Sequence, residues 1–130
     1  MLGIIMKIRS LHSVSNVSFG ASRDALCAFG SPLRESINSL GESVVDFGSI
    51  IFRFADGRMV EASFPLPSVI DLDGQEVAGS ALLAFLAQHD RDFREVVGFA
   101  IAHNLGLAVD LDHDDHWTTA FVAGRWDKVK

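Results

Sequence analysis

The sequence predicts an α+β fold, with two short helices packed on an antiparallel sheet. Three observations carry that reading. One is a short apolar run with a helix start at Ser22 and two helix stops at Gly30 and Pro32. The second is a long alternating stretch that folds back at Asp56-Gly57. The third is a helix-spaced run after Gly79 followed by three alternating segments.

The elements follow in order. Leu2 to Arg9 is apolar and β-branched enough for a strand. Residues 10–20 mix Ser, Asn and Val and read as a loop or a frayed strand. Ser22 then sits where an N-cap belongs, and Asp24 falls in the first turn, where it complements the helix dipole. Ala25 to Phe29 are apolar, Gly30 takes the C′ position, and Pro32 prevents continuation. Residues 33–43 are polar and read as a mobile connection. From Val44 to Phe64 the spacing changes to alternation. Ile50, Phe52 and Phe54 share one face, and Ser49, Ile51 and Arg53 share the other. Asp56-Gly57 marks a tight hairpin, because both central positions of a type I′ turn need positive φ. Pro65 and Pro67 remove ladder donors and end the return strand.

Asp73-Gly74, inside Ile70–Val77, marks either a small hairpin or an irregular connection. Gly79-Ser80 then opens a second helix whose Leu82, Leu83, Phe85 and Leu86 form one apolar stripe that fades at His89–Asp92. Val96–His103, Leu105–Leu111 and Trp117–Ala123 read as strands. Both halves thus run helix first and antiparallel strands after, the order of a duplicated α-β-β unit, although residue identity between the halves is slight.

At 130 residues and 48% hydrophobic, the chain has the size and composition of one globular domain spanning 1–130. Its 11 Lys+Arg against 17 Asp+Glu give a net charge of −6. Phosphate binding needs a basic face, so nucleic acid is excluded as a partner. No apolar run approaches membrane-spanning length, and Met1–Lys7 lacks the basic region and cleavage site of a secretion signal, so a cytoplasmic protein is expected. Cys27 has no partner for a disulfide. Set among Ala25, Leu26, Ala28 and Phe29, it is expected to be a small buried hydrophobe.

The densest polar cluster is Asp110-Leu111-Asp112-His113-Asp114-Asp115-His116, followed by Trp117. It reads either as a solvated hairpin tip or as a partner-binding loop. As a binding loop, Asp110, Asp112, Asp114 and Asp115 would steer toward a cationic cleft, with Trp117 as an aromatic anchor. As a metal site the cluster is poorly built, because calcium loops need a glycine turn and a distal Glu; His113 and His116 are the weak alternative ligands. His103 continues the Phe99-Ile101 alternation and is expected to be a half-buried structural histidine. His89 suits a helix C-terminus. No phosphate loop, nucleophile turn, zinc motif or cysteine pair is present, so no cofactor and no catalysis are expected.

Two stretches carry a resemblance. Val17–Leu26 with Phe29-Gly30-Ser31-Pro32, followed by Asp56-Gly57-Arg58-Met59-Val60, resembles small bacterial αβ modules of the outer-membrane assembly lipoprotein and β-lactamase-inhibitor-like type. The lipobox cysteine of that group is missing. Leu105–Val109 with Phe121–Asp127 resembles the ending of small acidic immunity proteins of bacterial polymorphic toxin systems. That second resemblance implies a non-catalytic inhibitor that occludes a partner protein, such as a nuclease toxin with a cationic cleft. The rival expectation is a small-molecule- or metal-binding domain, hydrolytic in its strongest form. Its pocket would lie between the second helix and the sheet, with His103, His113 and His116 as polar groups. A homodimer formed through an exposed strand edge is a third arrangement. Arg125-Trp126-Asp127 reads as a clasp tying down the C-terminal segment or as a contact, with the clasp favoured.

Overall fold

The computed structural model describes residues 5–112 and 115–127. It is mostly β, with 44% of residues in strands and 15% in helix, which corrects the α+β expectation. The first half contributes β1 (Ile5–Arg9), β2 (Ser13–Val14), β3 (Val17–Ser18), a 3-10 helix (Arg23–Phe29), β4 (Arg34–Ile37), β5 (Ser43–Asp46), β6 (Ile51–Ala55) and β7 (Arg58–Phe64). The second contributes β8 (Val69–Leu72), β9 (Gln75–Ala78), a 3-10 turn (Gly79–Ala81), α1 (Leu82–His89), β10 (Phe93–Val96), β11 (Phe99–Ala102), β12 (Leu107–Asp110) and β13 (Thr118–Phe121).

The strands form two sheets. The smaller runs β3-β2-β1-β8-β9, with β1 and β8 parallel. The larger is antiparallel and runs β10-β11-β12-β13-β7-β6-β5-β4. In place of an α-β-β repeat, each half supplies a four-stranded meander, and β7 and β13 join the two at the centre.

The excess of strand comes from segments whose sequence gave no alternation. Residues 33–43, read as a connection, contain β4, and all four β4 residues are exposed. An edge strand with both faces wet has no apolar period to show. The same holds for β10, where only Phe93 and Val96 are half-buried. The first helix is weaker than its flanking signals imply: Ser22 makes no side-chain cap bond, and the segment winds as a 3-10 helix. At three residues per turn, Leu26 and Phe29 share the inward face and Cys27 does not. Cys27 is therefore exposed, which corrects its expected burial.

The two Asp-Gly turns are hairpins. Asp56 and Gly57 have φ of 52° and 76°, and Asp73 and Gly74 have 54° and 90°. Ser10 holds the second one to the end of β1, donating its N–H and hydroxyl to Asp73 at 2.8 and 2.6 Å.

Alternation divides the large sheet into two faces. On the inner face, Val45, Phe52, Phe54, Ala62, Phe64, Leu107 and Val109 join Ile8, Ile70, Leu72, Leu82 and Leu86 in one core. Leu82 and Leu86 are fully buried and fill the contact between α1 and the sheet. The outer face carries Ile51 and Arg53 from β6, Glu61 and Ser63 from β7, Thr119 and Phe121 from β13, Ala108 and Asp110 from β12, and Phe99 and Ile101 from β11.

One buried carboxylate organises the turns beside α1. Asp90 is 4% exposed and accepts the backbone N–H groups of Asp92, Asn104 and Leu105 at 2.8–2.9 Å, together with the Asn104 amide at 3.1 Å.

No helix among the described residues is long and apolar enough to cross a membrane.

Candidate functional site

Polar residues on the outer face of β6, β7 and β13 lie side by side because the register places Arg53 opposite Glu61 and Ser63 opposite Thr119. The side chains join across those pairs. Arg53 Nη1 donates to Glu61 Oε2 at 2.8 Å and to Ser63 Oγ at 3.0 Å, and Ser63 Oγ lies 2.8 Å from Thr119 Oγ1. This row floors a cleft of about 410 Å³ walled by Ile51, Phe99, Asp110, Trp117 and Trp126.

The C-terminal segment crosses the same face and closes one side of the cleft. Arg125 forks onto Glu42, with Nη1–Oε2 at 2.7 Å and Nη2–Oε1 at 2.8 Å, while its Nε donates to Glu61 Oε1 at 2.5 Å. Trp126 stacks on Phe121 at 5.5 Å between ring centroids and meets the edge of Phe99 at 5.4 Å. Beneath it lies a second small core of Ile101, Ala108 and Phe121. Arg125 and Trp126 thus have the geometry of a clasp, and Trp126 is also a cleft wall.

Charge alternates along the row as Glu42, Arg125, Glu61, Arg53. The Arg125 guanidinium, donating two hydrogen bonds, holds the Glu42 carboxyl down to about 2, well under its ordinary value of 4.5. Burial opposes this shift and the Asn38 amide adds to it. Hydrogen bonding to Glu42, then to Glu61, holds Arg125 above its usual range against the cost of burial. Both Glu61 oxygens are occupied, one by each arginine.

The residues singled out in the sequence are distributed around this cleft. Asp110 and Trp117 line it. The Asp110 carboxylate accepts the Asp112 N–H at 2.9 Å, and the backbone N–H of Asp110 donates to the Trp117 carbonyl at 2.8 Å. Asp112 is exposed on the rim, folded over Gly98. Asp115 is exposed too, and its carboxylate accepts the Trp117 indole N–H at 3.1 Å. His116 Nδ1 lies 3.2 Å from the Asp110 carbonyl oxygen. Asp114 and His113 lie outside the described residues, and among those described no group of three or more metal-ligating side chains comes together.

His103 packs between backbone carbonyls, with Nδ1 3.3 Å from that of Asp92 and Nε2 3.3 Å from that of Trp126. The hollow beside α1, about 230 Å³ and lined by Leu83, Ala87, Phe93 and Leu111 among others, includes neither His103 nor His116. The pocket imagined between the second helix and the sheet therefore does not gather those histidines.

Sequence reasoning missed Glu42, Glu61, Ser63 and Thr119 as site residues. The available signal was a polar set at every second position: Arg53 on one arm of the Asp56-Gly57 hairpin, Glu61 and Ser63 on the other. That pattern marks a solvent face, and nothing local shows that a distant Arg125 completes it.

Comparison of the chain with protein-family models, curated proteins and solved structures finds no match.

Proposed function

We propose that this chain is a non-catalytic partner-binding protein of the inhibitor or immunity type, engaging a protein through the outer face of its large sheet. The observation that carries the reading is the composition of the cleft: Trp117, Trp126 and Phe99 stand around Arg53. Tryptophan and arginine are the residue types that dominate binding energy when they sit at the centre of an interface. A preformed sheet face holds them with little ordering cost on binding.

The acidic loop supplies the second element. Asp110 lines the cleft and, with the exposed Asp112 and Asp115 of the same loop, makes that rim acidic in a chain of net charge −6; Asp114 belongs to the same sequence cluster. Such a rim accelerates encounter with a cationic surface and contributes less to the lifetime of the complex. A nuclease, whose cleft is cationic because it holds phosphates, is the partner class that fits best. Glu61, with each oxygen held by an arginine, is placed to order the floor.

The test begins with the reading frame adjoining this chain's gene. Its product, co-expressed with the wild-type chain, is expected to form a stoichiometric complex and to lose its toxicity. Changing Asp110, Asp112, Asp114 and Asp115 together to Asn is expected to slow association at low salt, with the difference shrinking at high salt. An adjoining operon of metabolic enzymes, or an unchanged association rate in the Asn variant, overturns the proposal.

A further inference from the structure

We infer that the chain has a second binding site, on the core side of the large sheet, for an uncharged and largely apolar small molecule that carries a hydroxyl or carbonyl group. The site is a cavity of about 510 Å³, larger than the outer-face cleft and within the usual range for small-molecule pockets. Five chain segments meet around it: β1, the turn after β2, the end of the 3-10 helix, the turn between β5 and β6, and the stretch that follows β7.

The walls decide what it takes. Phe29 and Phe47 face one another at 5.4 Å between ring centroids, and both pack on the fully buried Phe52 at 5.3 and 6.1 Å. Buried Phe64 and Ile50 lie deeper, and Met6 and Leu66 complete the apolar surface. Pro65 and Pro67 form the remaining wall, which fixes its backbone and removes two N–H donors from it. No described lining residue is charged, in a chain of which 22% is charged. Its mouth is open at the exposed Ser31 and Ser49, and its floor is the buried Ile50 and Phe64; an ion seated on that floor would lose water and meet no counter-charge, so the occupant is neutral.

The polar content is three hydroxyls, those of Ser15, Ser31 and Ser49, and none of them hydrogen-bonds to a described residue. Each can donate and accept, which suits a hydroxyl or carbonyl and gives no preference for charge. A few polar groups set in an apolar wall is how small-molecule sites fix orientation. The cavity shares no lining residue with the outer-face cleft, so this inference stands apart from the proposed function.

The probe is N-phenyl-1-naphthylamine, an uncharged two-ring amine whose fluorescence rises on leaving water, titrated into the full chain. Saturable one-to-one binding in the micromolar range is expected. Ser49→Trp and Ser31→Phe fill the cavity from different walls, and each is expected to weaken binding at least tenfold while circular dichroism stays unchanged. Leu83→Ala, on the exposed side of α1 and outside the cavity lining, is expected to keep binding within threefold. The anionic analogue 1-anilinonaphthalene-8-sulfonate is expected to bind at least tenfold more weakly. Absence of saturable binding, wild-type affinity in both filled variants, or equal affinity for the anionic probe overturns the inference. A dimer seen by light scattering and abolished by Ser49→Trp also overturns it, because a second copy of the chain would then be the occupant.

Discussion

Replacing Glu42 by Gln is expected to remove about 3 kcal/mol of stability at neutral pH and much less in acid. Glu42 is 7% exposed and is held by the Arg125 fork, with its carboxyl lowered from 4.5 to about 2. At roughly 1.4 kcal/mol for each pH unit, that difference is worth about 3 kcal/mol when the carboxylate is fully ionised in both states. The folded value lies below the unfolded one. The stabilisation is therefore complete above about pH 5 and is lost as the pH falls toward 2. At pH 3, about 1.4 kcal/mol of it survives. Urea unfolding of wild type and Glu42→Gln at pH 7 and pH 3, followed by far-ultraviolet circular dichroism, measures the difference directly. The gap between the two proteins is expected to shrink from about 3 to about 1 kcal/mol. A gap that stays the same at both pH values would refute the assignment of this stability to the ionised carboxylate.

Arg125→Ala is expected to cost more than Glu42→Gln, about 3–5 kcal/mol in the same urea experiment, because it leaves the buried Glu42 carboxylate without its cation and Glu61 with Arg53 alone. Asp90→Ala leaves three backbone N–H groups without their acceptor and the Asn104 amide with Asp92 alone, and is expected to lower stability by about 2–4 kcal/mol, with faster amide exchange at Asn104 and Leu105. Gly79→Ala places a methyl group against the Pro67 carbonyl oxygen and is expected to cost about 1–3 kcal/mol net by thermal unfolding, the clash outweighing the roughly 0.4–1 kcal/mol that a less flexible unfolded chain returns.

The sequence made the centre of the large sheet readable and left its margins obscure. In β6, β7 and β12 the large inward residues Phe52, Phe54, Phe64, Leu107 and Val109 alternate with polar or smaller ones, and only β6 keeps its other face half-exposed throughout. The Asp56-Gly57 hairpin was legible because Asp-Gly tolerates the positive φ such turns require, whereas Asp73-Gly74, between shorter runs, left a hairpin and an irregular connection open. β4 and β10 lie at the two edges, where burial imposes no period, and so they read as loop. Missing them tipped the expected balance toward helix, and the helical flanking signals of Ser22 and Gly30 added to the error, since the turn between them is a 3-10 segment. Within the outer cleft, Trp117 and the acidic loop could be singled out from composition alone. The pairing of Glu42 with Arg125 could not, because 83 residues separate them and only the completed sheet brings them together.

The most direct test of the outer face as the binding surface is calorimetric titration of the adjoining gene's product with wild type and Trp117→Ala. Leu83→Ala on the exposed side of α1 serves as the control. Loss of a central tryptophan anchor is expected to cost at least about 2 kcal/mol, roughly 30-fold in Kd, while the control stays within about twofold of wild type. Binding by Trp117→Ala that matches wild type, in a variant whose thermal unfolding is unchanged, would contradict the account.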